Sequence, residues 1–484
     1  MHNSDAETMK RFLQRYCRVA TLATIFASLG ACAIGPDYTR PAMEMPVAFK
    51  ESQDWKPAQP ADEIPKGNWW TLFNDPVLNA LEEQIDTSNQ NVKVAEARYR
   101  QARALVQSSR AGYFPTVSAD ASATHGKSLA TARSGATSAN TVGTIYSGAL
   151  DVSWEPDVWG RVRRTVEASA ANAEASAADL AAMRLSAQAD LAQNYFLLRI
   201  QDTQTELLQR TVEAYEKSLQ LTQNQYDVGI VPRSDVVQAE TQLKSAQAQL
   251  LDAGVQRAQL EHAIAILIGK APADFALAPA AVELSRPTVP TGLPSSLLER
   301  RPDVAAAERR VAAANAQIGI ARAAYFPLLT LSGTTGSQTT SLSDWFSAPT
   351  RYWSVGAALV QTLFDGGERS AQTDAAVAAY DATVATYRQT ALGALQEVED
   401  NIATLRILEQ ETAVQDEAVR AARLAVTLAT NQYRAGLVSY LNVANAQTTA
   451  YVNERVALGV MSRQMSASVL LIKALGGGWD ATGH

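Results

Sequence analysis

The sequence predicts a mixed α+β chain whose plan is written twice: two β-hairpins, two very long helical hairpins and an internal duplication. Three observations predict it. The first is repetition, which is sought before any local pattern. "NQYDVGIVPRSDVVQAETQ", beginning at Asn224, returns 207 residues later as "NQYRAGLVSYLNVANAQTT", beginning at Asn431. "SSRAGYFPTVSADASAT" at Ser108 matches "IARAAYFPLLTLSGTTG" at Ile320, which sets Pro115 and Pro327 212 residues apart. "DVWGRVR" and "FDGGERS" align through Gly160 and Gly367, again at 207. Five additional residues therefore lie between the Pro and the Gly of the first half.

The second observation is a period of two. Val117, Ala119, Ala121 and Ala123 alternate with Thr116, Ser118, Asp120, Ser122 and Thr124. Tyr146, Gly148, Leu150, Val152 and Trp154 alternate in the same way with Ser147, Ala149, Asp151, Ser153 and Glu155. The second half repeats this through Leu329, Leu331, Trp353, Val355, Ala357 and Leu359. Strands of about ten residues with one apolar face fit a transmembrane β-barrel. A soluble hairpin packed on a core would show the same alternation.

The third observation separates these readings. Residues 161–227 contain no Gly or Pro over 67 positions, and 368–434 contain no Pro and only Gly393. At ~1.5 Å per residue, such a helix is on the order of 100 Å long, far beyond what a compact domain buries. Ala168, Ala170, Ala171, Ala173, Ala175, Ala177, Ala178, Ala181 and Ala182 fall on more than one face. That suits a helix pressed between two neighbours rather than one seam of a two-stranded coil.

The parts follow in order. Residues 1–31 form a signal segment, 32–67 an extended N-terminal segment, and 68–270 the first repeat, with a β-hairpin at 115–156 and a helical hairpin at 161–268. A mixed equatorial stretch occupies 271–294. The second repeat covers 295–475, with a β-hairpin at 327–363 and a helical hairpin at 368–475, and 476–484 form a tail. At the helical turns, Gly229 and Gly436 read as C-caps, followed by Pro232 with Ser234 or Asp235 as N-cap, and by Ser439.

At the N-terminus, Lys10, Arg11, Arg15 and Arg18 precede the apolar run "VATLATIFASLGA", the layout of an export signal. The run ends in "LGAC", a bacterial lipobox that would make Cys32 the lipidated first residue of the mature chain. Ala33, not Asp, follows it, which favours release to the outer membrane. Both cysteines, Cys17 and Cys32, lie in this region, so the body holds neither a disulfide nor a cysteine metal site. The formal charge is −7; removing 1–31 removes four bases and two acids and leaves −9. No basic stripe is present, which argues against nucleic acid. His2, His125, His262 and His484 are scattered, and no HExxH, GxSxG or phosphate-loop motif occurs, so an enzyme is not expected.

Four strands cannot close a barrel, since transmembrane barrels start at eight, and an open edge in lipid leaves backbone groups unsatisfied. The chain must associate with copies of itself; a dimer would supply eight strands and a trimer twelve.

The residues resemble the TolC-like outer-membrane efflux factors, in particular their lipoprotein (OprM- or NodT-like) branch. The resemblance spans nearly all of the mature chain. It rests on "CAIGPDYTRP", "WWTLFNDPVLNALEEQ" at Trp69, "LLERRPDVAAAERRVAAANAQIGIARAAYFP" at Leu297, "LFDGG" at Leu363 and the two helical turns. It implies a homotrimer: an outer-membrane β-barrel with four strands per protomer, continued by a long periplasmic α-helical barrel. It also implies a periplasmic adaptor, an inner-membrane transporter of the resistance-nodulation-division (RND) type, and no cofactor or metal beyond the lipid on Cys32. Passive conduction of small toxic molecules, shut at the periplasmic tips, is the implied activity.

The two acids of the TolC gate ring fall on Asn442 and Asn445. The gate acid of the lipoprotein branch falls on Asn445 and its companion leucine on Leu441. The matching pair of the first turn is Ser234 and Asp235. The family tyrosine that bonds across the tip falls on Tyr433, while its arginine partner falls on Val438. Arg434 stands at a different turn position, so no ion pair is carried over. Amides carry no charge field at a constriction, unlike carboxylates; a gate held by packing and amide contacts, with residual charge from Asp235, is expected. Gly229, Ile230, Val231 and Pro232, with Gly436, Leu437 and Val438, place apolar groups at the turns and are expected to receive the adaptor. The rival readings are a protein-secretion duct and a periplasmic structural or adaptor lipoprotein.

Overall fold

The computed structural model describes residues 34–44, 46–52, 68–128, 141–280 and 301–477. Cys32, the signal segment, residues 281–294 of the equatorial stretch and most of the C-terminal tail lie outside these residues. The chain divides into two compact units. One holds Met1–Pro41, Arg100–Glu174 and Glu308–Ala385; the other holds Ala42–Tyr99, Ala175–Ala307 and Thr386–His484.

In chain order the elements are α1 (Pro76–Ser88), α2 (Gln90–Ala111), β1 (Thr116–Ser128), β2 (Thr141–Trp154), α3 (Arg161–Asp227) and α4 (Arg233–Leu267). The second half gives α5 (Pro302–Ala323), β3 (Leu328–Thr339), β4 (Arg351–Val360), α6 (Glu368–Arg434) and α7 (Tyr440–Ala474). The matched lengths of α3 and α6, 67 residues each, and of α4 and α7, 35 each, carry the duplication into the structure.

In the first unit the four strands form one antiparallel sheet in the order β1-β2-β3-β4. Val117 faces Val152 and Ala119 faces Leu150, so the apolar positions of both strands share a face. Across the next ladder Val152 faces Gly333 and Trp154 faces Leu331, and Leu331 in turn faces Ala357. The opposite face is hydroxyl- and carboxylate-lined. Ser122 Oγ and Ser147 Oγ lie 2.8 Å apart, and Thr334 donates to Asp151 at 2.5 Å. The N-terminal segment is strapped onto the same unit. The Ile34 amide donates to the Trp159 carbonyl at 3.2 Å, Arg164 reaches Asp37 at 2.9 Å, and Asn315 donates to the Pro36 carbonyl at 2.9 Å. A side chain at Gly35, whose φ is +109°, would place its Cβ 2.5 Å from the Gly319 Cα, so this crossing requires glycine.

The second unit is held by an apolar core. Trp69, Trp70 and Phe73 from a short 3-10 turn pack with Leu78, Ile85, Tyr195, Phe196, Leu198 and Ile472. Such burial contributes ~1.5–3 kcal/mol for each large side chain. Asp75 caps α1, accepting from the amides of Val77 at 2.9 Å and Leu78 at 3.1 Å, and the Tyr195 hydroxyl donates to its other oxygen at 2.6 Å. Residues 271–280, the described part of the equatorial stretch, are clamped to the helices. Arg199 donates to the Ala278 carbonyl at 2.9 Å, Arg257 to Asp202 at 2.7 Å, and the Ala280 amide to Asp202 at 3.1 Å. One residue breaks the pattern of this core: Glu82 is 0% exposed, and neither carboxylate oxygen has a hydrogen-bond partner among the described residues.

Candidate functional site: the paired helical turns

The turns α3–α4 and α6–α7 both belong to the second unit, and their backbones are equivalent bond for bond. In the first, the Ile230 amide donates to the Gln225 carbonyl at 2.8 Å and the Gly229 amide to that of Tyr226 at 2.9 Å. In the second, Leu437 donates to Gln432 at 2.9 Å and Gly436 to Tyr433 at 2.9 Å. These are Schellman closures, which need a left-handed residue after the helix; Gly229 and Gly436 supply it with φ of +77° and +72°. The sequence places the C-caps correctly and the first N-cap incorrectly. Helix α4 starts at Arg233 with Pro232 as its N-cap, and neither Ser234 nor Asp235 caps it. Pro232 stays extended, with φ −76° and ψ 158°, and Arg233 is the first helical residue, so the helix begins before the polar pair. The Ser234 hydroxyl instead donates to Asp235 at 3.4 Å. Ser439 is the N-cap of α7, as expected, although its hydroxyl caps no amide.

The apolar turn residues divide into two groups. Ile230 is 66% exposed and Leu437 75%, and Val228, which the sequence reading did not single out, is exposed beside them. Val231 and Val438 turn inward and pack on a small core of Ala239, Tyr433, Tyr440, Val443 and Ala444. Gly229, Pro232 and Gly436 are exposed backbone corners.

Six neutral hydrogen bonds join the first helical hairpin to the second. Tyr433 donates to the Thr222 hydroxyl at 3.2 Å and Tyr440 to the Gln242 carboxamide oxygen at 3.1 Å. The Gln242 amide donates onward to the Ala444 carbonyl and the Thr448 hydroxyl, each at 3.3 Å. Gln447 donates to Ser218 at 2.9 Å and Tyr451 to Gln249 at 2.9 Å. Tyr433 and Tyr440 meet edge to face, with ring centroids 5.7 Å apart. Burial, followed by the fields of Tyr215, Tyr433 and Asp235, pushes the Tyr440 phenol above its ordinary value of 10.0, so it remains a donor at any working pH. Ion pairs across the helices, Arg423–Glu454 and Arg463–Glu411, occur further along α6 and α7 from the turn.

The sequence-derived gate residues are thus partly assembled. Tyr433 is buried and bonded across the hairpins, and Asp235 is half-buried near both tyrosines. Leu441, Asn442 and Asn445 are exposed on α7. Asn442 approaches the Ser439 hydroxyl at 3.5 Å, and Asn445 lines a cavity of about 390 Å³ with Gln238, Gln242, Gln249, Thr448 and Tyr451. Thr222, Gln242 and Gln447 were missed; glutamines on a long polar helix carry no local mark of their partners. Among the described residues no group of three or more His, Cys, Asp or Glu is placed to hold a metal ion.

The model of the outer membrane efflux protein family matches residues 81–270 and 293–477, one match in each repeat and together more than half of the chain. The chain belongs to the outer membrane efflux protein family. This efflux protein is 32% identical over 470 residues to the probable efflux pump outer membrane protein TtgC of Pseudomonas putida, covering 96% of each chain. It is 28% identical over 473 residues to the cation efflux system protein CusC of Escherichia coli, covering 96% of this chain and 99% of that one. Its fold matches the outer-membrane channel OprN with a TM-score of 0.86 at 32% identity, over 93% of this chain and all of that one. The open-state MtrE outer membrane channel of Neisseria gonorrhoeae gives 0.80 at 28% identity, over 94% of this chain. The protein is an outer-membrane channel component of an efflux pump, and its helical hairpins are those of a channel that extends into the periplasm.

Proposed function

We propose that this efflux protein forms a homotrimeric, passive, water-filled duct for small toxic molecules, anchored by lipid on Cys32 and shut at the paired helical turns. It works with a periplasmic adaptor and an inner-membrane transporter of the RND type, which supplies the energy; this chain performs no catalytic step and needs no cofactor. The observation that carries the reading is the neutral latch between the hairpins. Six hydrogen bonds of ~1 kcal/mol each hold two turns together in a way that packing shifts can release. Ile230 and Leu437, exposed beyond the latch, give the adaptor an apolar handle on each turn. Asn442 and Asn445 stand where the family carries acids, so the closed mouth relies on amides, with Asp235 as the remaining charge. The names of relatives range over antibiotics, toluene and cations, and cargo choice is placed in the transporter.

Deletion of the gene should raise accumulation of efflux dyes and sensitise cells to several unrelated toxic compounds, and the intact gene should reverse both. Unchanged accumulation together with loss of a secreted protein would favour a protein-secretion duct instead.

A further inference from the structure

We infer that the β3–β4 loop, folded back onto the apolar face of the sheet, is a seat for a phosphorylated glycolipid of the outer leaflet, with Arg351 binding its phosphate. The seat requires the outer-membrane location and is independent of how the duct closes.

Residues 340–350 do not simply cap the strand ends. Trp345 lies over Gly148 of β2, where a side chain would place its Cβ 3.1 Å from the indole. The ring of Tyr146, two residues along the same face, has its centroid 6.0 Å from that of Trp345. The Ser337 hydroxyl donates to the Trp345 carbonyl, and the Thr350 hydroxyl donates to the Ser347 carbonyl at 2.9 Å. Gly148 and Tyr146 alternate onto the face that carries Leu150 and Val152. The loop therefore lies on the lipid side of the sheet and not on its hydroxyl-lined face. There it presents Phe346, 86% exposed and stacked on Trp345 with ring centroids 6.4 Å apart, and the exposed Leu342. Trp353 of β4, on the same face, is 77% exposed. Neighbouring apolar groups left open in this way mark a contact surface.

Charge and position select the occupant. Arg351 faces Ser337, and Ser337 faces Gly148, so the guanidinium leaves the sheet from the same row and the same face as the seat of Trp345. It is exposed and donates to the Phe346 carbonyl at 3.3 Å, with no carboxylate partner among the described residues. The loop's own acid, Asp344, accepts from the Ser343 hydroxyl at 3.3 Å. Within the strands the charges are segregated. Both acids, Asp120 and Asp151, lie on the hydroxyl-lined face, whereas Lys127 and Arg351 lie on the apolar face near its outer end. The inner ends of the strands run into α2, α3, α5 and α6, so the loop stands at the exterior end. An aromatic girdle is common to outer-membrane barrels, but acyl chains leave a guanidinium unmatched. A planar fork of donors beside exposed rings suits an amphiphile that joins acyl chains to phosphate. At the exterior surface that chemistry is a phosphorylated glycolipid of the lipid A type.

Full-length protein in phosphatidylcholine nanodiscs, titrated with diphosphorylated lipid A, tests the seat, with retained lipid read by native mass spectrometry. The parent should retain lipid A, and Arg351→Ala should weaken retention about tenfold, the effect of losing one charge-assisted bond. Arg351→Lys should fall between them. Leu342→Ser with Phe346→Ser should weaken retention while keeping the guanidinium. Phosphatidylglycerol, which has a phosphate and no sugar, should compete poorly. All these positions are exposed, so far-UV circular dichroism and dye efflux should stay at parental levels, and a failed lipid seat leaves the duct standing. Equal retention by the parent and Arg351→Ala overturns the proposal. So does displacement of lipid A by phosphatidylglycerol at equal concentration, which would make the patch a surface for anionic lipid in general.

Discussion

Tyr440 reaches from the second helical hairpin into the first: its hydroxyl donates to Gln242 at 3.1 Å, and the Gln242 amide carries the link back to the Ala444 carbonyl and the Thr448 hydroxyl. One glutamine thus holds three bonds of the latch. Tyr440→Phe removes one neutral bond of ~1 kcal/mol from each protomer, which corresponds to about a fivefold rise in the open-to-closed ratio per protomer. Gln242→Ala should raise it further. Open probability in planar bilayers reads both, and a Gln242→Ala channel gating like the parent would remove the latch from the mechanism.

Asn445→Asp should return a carboxylate to an exposed α7 position that now holds a neutral amide. In the proposed trimer the charge appears three times, so cation selectivity and block by divalent ions should both increase. Reversal potentials in a salt gradient, with and without magnesium, measure this. Unchanged selectivity would show that Asn445 lies away from the permeation path.

Glu82 is a liability within the core. Burial, reinforced by Asp86, holds its carboxyl well above the ordinary value of 4.5. A raised carboxyl value means that the folded state binds the proton more tightly than the unfolded chain. Stability linked to Glu82 is therefore complete below about pH 4.5 and declines as pH rises toward the folded value. Glu82→Leu should stabilise the protein at pH 8 by ~1–3 kcal/mol, the cost of an unpartnered buried polar group, and by much less at pH 4. Thermal melts at the two pH values provide the comparison; a gain independent of pH would assign the effect to packing alone.

Asp202 is buried between Arg199 and Arg257 and accepts the Ala280 amide. Asp202→Ala removes the carboxylate shared by both guanidinium groups, leaving Arg257 with Glu261 and the Leu277 carbonyl and Arg199 with the Ala278 carbonyl, and should cost ~1–3 kcal/mol. It should also expose residues 271–280 to protease, with Asp202→Asn intermediate in both respects. Cleavage at the parental rate in Asp202→Ala would show that the segment is held by other contacts.

The elements that sequence made legible are those with a long or periodic signature. Two runs of 67 residues without proline announced α3 and α6, and alternation through Val117–Ala123 and Tyr146–Trp154 announced the sheet and its two faces. Turn glycines marked the turn geometry because the left-handed backbone needs them. Contacts between distant, ordinary residues left no mark. Thr222 lies 211 residues from Tyr433, and nothing local ties a threonine on a polar helix to that phenol. Glu82 sits in "LEEQ", where a charged pair reads as a solvated face, and only the packing of α1 shows that one of the two glutamates points into the core. Pro232 is the N-cap of α4 and keeps an extended ψ of 158°, so the polar pair Ser234 and Asp235 falls inside the helix instead of capping it.

Because the turn is written twice, a substitution in one copy is not imposed on the other. Asp235 persists in the first turn, while its equivalent in the second, 207 residues on, is Asn442. A mouth built from six identical hairpins could change its charge only in steps of six. The proposed trimer of unequal pairs alternates acid-bearing and amide-bearing turns, and evolution or an engineer can adjust the charge three at a time while leaving the backbone closure unchanged.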